Sequence, residues 1–111
     1  MNIVYSDRAK QVKSDFQLLE EITGKLKEVL APARDEVAVR WSRVEDERDG
    51  SHYSLKISDA TGEAEATFTP EELRKEPHMR VMLYKLWGQL LQARNRKLME
   101  ALKEPFDTER D

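Results

Sequence analysis

His52 and His78 are the only side chains of the 111-residue sequence whose ordinary pKa lies near neutrality. General acid–base or metal chemistry at either would need a carboxylate or second ligand at a suitable spacing, and neither has one. His52 opens an alternating segment on its wet side, and His78 follows Pro77 at a helix start, both ordinary places for a solvated histidine. The segment Glu45-Asp46-Glu47-Arg48-Asp49-Gly50 gathers carboxylates but lacks the Asp-x-Asp/Asn-x-Asp/Asn-Gly order of a calcium loop, and Arg48 opposes a cation. It reads as a charged, exposed and mobile loop. No cysteine is present, which excludes thiolate nucleophiles, thiolate metal sites and a disulfide scaffold. Gly24, Gly50, Gly62 and Gly88 are isolated, so no glycine-rich phosphate cradle exists, and neither Gly-x-Ser-x-Gly nor His-Glu-x-x-His occurs. No catalytic residue, cofactor or metal is assigned, and the reading leans away from an enzyme. The one place left for such a site is the wet face of the sheet around Arg40, Lys56 and His52, which no spacing supports.

Arg94, Arg96 and Lys97, with Arg80 and Lys85 nearby, form a basic run suited to phosphates. They are the candidate anion or nucleic-acid contact, and a nucleic-acid- or ribosome-associated protein is the alternative reading of function. Cations in the second half of a helix also suit its dipole without any ligand. The overall balance is 19 Lys+Arg against 22 Asp+Glu, a net charge of −3, which does not favour a polyanionic partner.

The elements that must position these residues follow from hydrophobic spacing. Hydrophobic residues make up 39% and charged residues 37%, which implies a modest core under a heavily charged surface. The apolar residues recur with clear periods, so the chain folds rather than staying disordered. The length fits one domain, here residues 1–104, followed by a polar tail at 105–111. No apolar run approaches the roughly 18 residues of a membrane helix, and no export signal opens the chain; cytoplasm is the expected location.

Ile3-Val4-Tyr5 allows a brief edge strand. Ser6 and Asp7 then offer a cap, and Ala9, Val12, Phe16, Leu19, Ile22, Leu26 and Leu30 step by three or four, predicting a helix that Pro32 stops. From Val37 the period changes to two. Val37/Val39/Trp41, Tyr53/Leu55/Ile57 and Ala64/Ala66/Phe68 predict three strands, each with one dry face. Ser58-Asp59-Ala60-Thr61-Gly62 makes the second and third a hairpin. Thr69-Pro70-Glu71-Glu72 is a capping box, and Pro77 imposes a bend before a long helix expected to run from Pro77 to about Glu104, ended by Pro105.

The fold class is therefore α+β. A three-stranded antiparallel meander, with a short extra N-terminal strand allowed, carries two helices on one face in a two-layer sandwich of order (β)-α-β-β-β-α. The order α-β-β-β-α is also the topology of double-stranded RNA-binding domains, whose contact loop and final helix are basic. The matching regions here, Glu45–Ser51 and Glu71-Glu72, are acidic. With the extra strand the order becomes that of ribosome-hibernation factors, whose strongly basic surface this chain lacks. Neither family is assigned.

The final helix carries more apolar surface than one docking face requires. Met79, Met82, Leu83, Leu86, Leu90 and Ala93 form one stripe; Tyr84, Trp87, Leu91, Leu98 and Leu102 form another about 100° round the axis. Strands of six or seven residues span roughly 20–24 Å, whereas this helix would span roughly 40 Å. Its last turns would overhang the sheet. Tyr84, Leu91 and Leu98 recur every seven residues, with Trp87 and Ala101 between them and Arg94 interrupting. Tyr84, Trp87, Leu91, Leu98 and Leu102 are the candidate self-association residues. The expected function is a small non-catalytic protein-interaction module, its partner a second copy in a homodimer or another protein.

Overall fold

The computed structural model describes residues 1–31, 33–48 and 50–109, with side chains in the last helix as far as Leu102. Strand β1 (Asn2–Tyr5) leads through a 3₁₀ turn (Arg8–Lys10) into helix α1 (Lys13–Leu30). A second 3₁₀ turn (Ala33–Glu36) precedes β2 (Ala38–Asp46), β3 (Gly50–Asp59) and β4 (Gly62–Phe68). A third (Glu72–Arg74) precedes helix α2 (Glu76–Glu109). The sheet order is β1-β2-β3-β4, with β1 parallel to β2 and the remaining pairs antiparallel. The fold is thus α+β, and the N-terminal strand is real. It pairs in parallel because α1 returns the chain to the start of β2.

The alternation of the strands places Val39, Trp41, Tyr53, Leu55, Ile57, Ala64 and Phe68 on the face that both helices cover. Leu19, Ile22, Leu26 and Leu30 of α1 and Met79, Leu83, Leu86 and Leu90 of α2 complete the core. Two buried polar groups are satisfied within it. Thr23 Oγ1 accepts from Trp41 Nε1 at 2.9 Å and donates to the Leu19 carbonyl at 2.7 Å. Asp15 accepts from the Tyr53 hydroxyl at 2.8 Å and from Arg74 Nη2 at 2.9 Å, which ties α1 and β3 to the turn before α2. Burial pushes the Tyr53 hydroxyl up to about 12, helped by the hydrogen bond to Asp15 and its negative charge.

Three sequence expectations are corrected. Helix α1 begins at Lys13 rather than after Asp7. Ser6 Oγ caps the 3₁₀ turn by accepting from the Ala9 N–H, and Val12 is extended, so the chain crosses from sheet to helix layer before α1 starts. The charged segment from Glu45 to Ser51 is largely strand, with Glu45 paired to Ser51 and Asp46 to Gly50. Backbone pairing outweighs the side-chain charge there, because those charges project into water from the far end of the hairpin. Asp49 of that segment lies outside the described residues, as does Pro32. Finally, α2 passes through Pro105 to Glu109. A proline removes one hydrogen bond and crowds the preceding turn without necessarily ending a helix. Residues 110–111 lie outside the described residues.

The capping box forms as the sequence implies. The Thr69 N–H donates to Glu72 Oε1 at 3.0 Å and the Glu72 N–H to Thr69 Oγ1 at 3.1 Å. It closes only the 3₁₀ turn. Lys75 is then extended, and α2 starts at Glu76.

Candidate protein-interaction surface

The decisive geometry lies where α2 leaves the sheet. Ala93 packs against Gly62, the first residue of β4, so closely that a Cβ added to the glycine would sit 2.9 Å from that of Ala93. Everything after Arg94 has therefore passed the end of the sheet. The strands are longer than their patterns suggest, β3 having 10 residues, but α2 has 34 and spans about 50 Å. The overhang persists.

Arg94 clamps the exit point. Its Nε donates to Asp59 Oδ2 at 2.6 Å and its Nη2 to Glu36 Oε2 at 2.9 Å, while the guanidinium lies 5.3 Å from the centre of the Trp87 ring. Asp59 is held by the sequence of its own turn, where Oδ1 accepts from the N–H groups of Thr61 and Gly62. Burial would raise the Asp59 carboxyl, but the hydrogen bonds from Thr61 and Arg94 overcome it and hold the group below the usual carboxylate range. The hydrogen bond to Asp59 likewise pushes the Arg94 guanidinium up. One helix turn further out, Lys97 and Leu98 roof an open groove of about 450 Å³ above Glu36 and the turn Asp59-Ala60-Thr61.

The side chains named from the sequence separate into two groups. Tyr84 is 58% exposed, Leu91 38%, Leu98 62% and Leu102 61%, and all four share one side of α2. Trp87 is half-buried, packed on the core beneath Arg94. Val81, which the sequence reading did not select, and Met99 are exposed as well. Tyr84 stands over the shallow groove between α1 and α2, with Lys25, Glu28, Val29 and Arg80. From there the apolar side continues along the overhang, away from the protomer.

The three residues of the basic run differ in their surroundings, although Arg94 and Lys97 line the same groove. Arg94 is engaged by two carboxylates, whereas Arg96 and Lys97 are exposed on the overhang. The histidines are also apart. His52 is half-buried opposite Val44, and His78 Nε2 lies 3.1 Å from Glu72. Arg40 and Lys56 are neighbours across β2 and β3 in a shallow depression that His52 does not line, and Lys56 pairs with Glu63 at 2.8 Å. Among the described residues no three His, Asp or Glu side chains are grouped as a metal site. No described helix is long and apolar enough to cross a membrane. No protein-family model, curated protein or solved structure matches the chain.

Proposed function

We propose that this protein is a non-catalytic interaction module that self-associates through the outer side of α2, with Tyr84, Leu91, Leu98 and Leu102 as its contact residues and Trp87 at their flank. The supporting observation is that Tyr84, Leu98 and Leu102 are each more than half exposed along one side of a helix whose last turns have left its own sheet. Large apolar side chains aligned along one helix side gain by leaving water, at about 25 cal/mol for each Å² covered. Among the described residues Leu98 has beneath it only the open groove above Glu36 and the Asp59-Ala60-Thr61 turn, and both Leu98 and Leu102 stay more than half exposed, so a partner covers them.

Light scattering at rising concentration tests the reading. The native chain gives twice the protomer mass, and the Leu98→Asp/Leu102→Asp variant gives the protomer mass with an unchanged unfolding midpoint at low concentration. A native chain that stays monomeric, or a variant that loses its fold, overturns it. The nucleic-acid reading keeps only Arg96 and Lys97, since Arg94 is spent on Asp59 and Glu36. It would regain ground if the protein were retained on heparin in a steeply salt-dependent way.

A further inference from the structure

The exposed side of α2 carries more order than a greasy stripe. With Trp87 and Arg94 turned toward the protomer, the side of α2 away from them carries the exposed Val81, Tyr84, Leu91, Asn95, Leu98 and Leu102 and the half-buried Gly88. Their spacing alternates three, four, three, four, which is an uninterrupted heptad seam. Gly88 and Asn95 hide it in the sequence because neither is apolar. Resting on the self-association reading above, we infer that the seam pairs with the same seam of a second copy in antiparallel orientation, in one register. Leu98 packs over Gly88 of the partner subunit, Leu91 against Asn95 of the partner subunit, and Leu102 against Tyr84 of the partner subunit.

Three observations select this arrangement. The first is size. The two central layers of this register set a leucine against Gly88 or Asn95, and the Gly88 position is open, with nothing within 4 Å of where a Cβ would stand. A parallel pair would instead stack glycine on glycine and leave a gap, at a cost in lost packing.

The second is charge. In a parallel pair Arg80, paired only loosely with the exposed Glu76 at 3.7 Å, would flank Lys85 of the partner subunit, both cations. In the antiparallel register the central flanking residues are Gln92 on one side, facing its own copy, and Arg94 on the other. Each Arg94 guanidinium is held back against Asp59 and Glu36 of its own protomer, so the two do not meet as bare cations. Lys85 falls beside the exposed Met99 of the partner subunit, whose apolar surface its stem covers.

The third is shape. The overhang of each chain lies along the packed half of the other, so a two-fold pair covers Leu98 and Leu102 of both copies with one isologous contact. Within it Asn95 is the one amide in the seam. A single polar residue at such a position specifies register at the expense of affinity.

Cysteine cross-linking tests the register, because the native chain has no cysteine. Gly88→Cys and Leu98→Cys proteins are mixed, left to exchange subunits and mildly oxidised, with light scattering run on the same samples. The register predicts a disulfide-linked heterodimer in the mixture and little in either protein alone. A Tyr84→Cys and Leu102→Cys mixture repeats the test further from the centre and does not depend on the Gly88 site. Cross-linking of Leu98→Cys alone means a parallel pair and overturns the register. Dimers with no cross-link in either mixture overturn it too, while leaving self-association standing. Monomers in every sample overturn the self-association reading itself. Asn95→Leu is expected to dimerise more tightly while the Gly88–Leu98 cross-link loses yield to other pairs; an unchanged yield removes Asn95 from the register-setting role.

Discussion

The two halves of α2 are made of similar residues and meet opposite fates. From Met79 to Leu90 the leucines and methionine at sheet-facing positions are sealed into the core, each almost fully buried. From Asn95 onward Leu98 and Leu102 are more than half exposed, and among the described residues only the open groove above Glu36 and Thr61 lies beneath Leu98. Helix propensity does not separate them, since both halves are rich in good helix formers. What separates them is the end of the sheet at Gly62. A helix face is buried by what stands opposite it, so apolar content alone does not say whether a residue stabilises the protomer or an assembly.

The packed half is also closed at both ends by guanidinium–carboxylate contacts. Arg74 with Asp15 and Tyr53 lies just before the helix, and Arg94 with Asp59 and Glu36 lies where it departs. This asymmetry can be tested by substitutions of decreasing effect. Leu86→Ala, in the sealed half, is expected to lose about 2–5 kcal/mol in urea unfolding. Next comes the Tyr53 end. An unfolded tyrosine ionises near pH 10, whereas Tyr53 stays neutral to about 12. Its contribution, of order 2 kcal/mol, is therefore full below pH 10 and drains as pH rises toward 12. Melting temperatures measured across that window should fall for the native chain and fall less for Tyr53→Phe.

Arg94→Ala leaves Asp59 with only its turn contacts and is expected to cost about 1.5 kcal/mol. Gly62→Ala drives a methyl group into Ala93 and should cost about 1 kcal/mol, with the loss relieved in part by shortening Ala93 to glycine. The smallest effect belongs to Leu98→Ala. Dilute protein should unfold within about 0.5 kcal/mol of native, while the concentration needed for self-association rises. A Leu98→Ala loss comparable to that of Leu86→Ala would erase the distinction between the halves.

Much of the fold was legible in residue spacing. The change of period at Val37 marks the sheet, and Asp59 to Gly62 forms the tight turn that its residues imply. The capping box at Thr69 and Glu72 is present atom for atom. What was not legible depended on tertiary partners. Ser6 looks like a helix cap but serves a 3₁₀ turn, because the chain must first climb from β1 to the helix layer. Asp15 and Thr23 gave no sign of their burial, as each is acceptable there only through hydrogen bonds with residues distant in sequence. On α2, sevenfold recurrence drew attention to Tyr84, Leu91 and Leu98 but placed Trp87 and Ala101 between them and read Arg94 as an interruption. The position of Asp59 and Glu36 shows Arg94 facing its own protomer, which is what turns the proposed seam to Val81, Gly88 and Asn95.

Hydrogen exchange followed at several protein concentrations bears most directly on the claim that a second copy covers the outer half of α2. Amides of Asn95 to Leu102 should exchange quickly in dilute solution and slow progressively as concentration rises, while those of Leu83 to Leu90 are protected throughout. Exchange at Asn95 to Leu102 that ignores concentration would contradict the account.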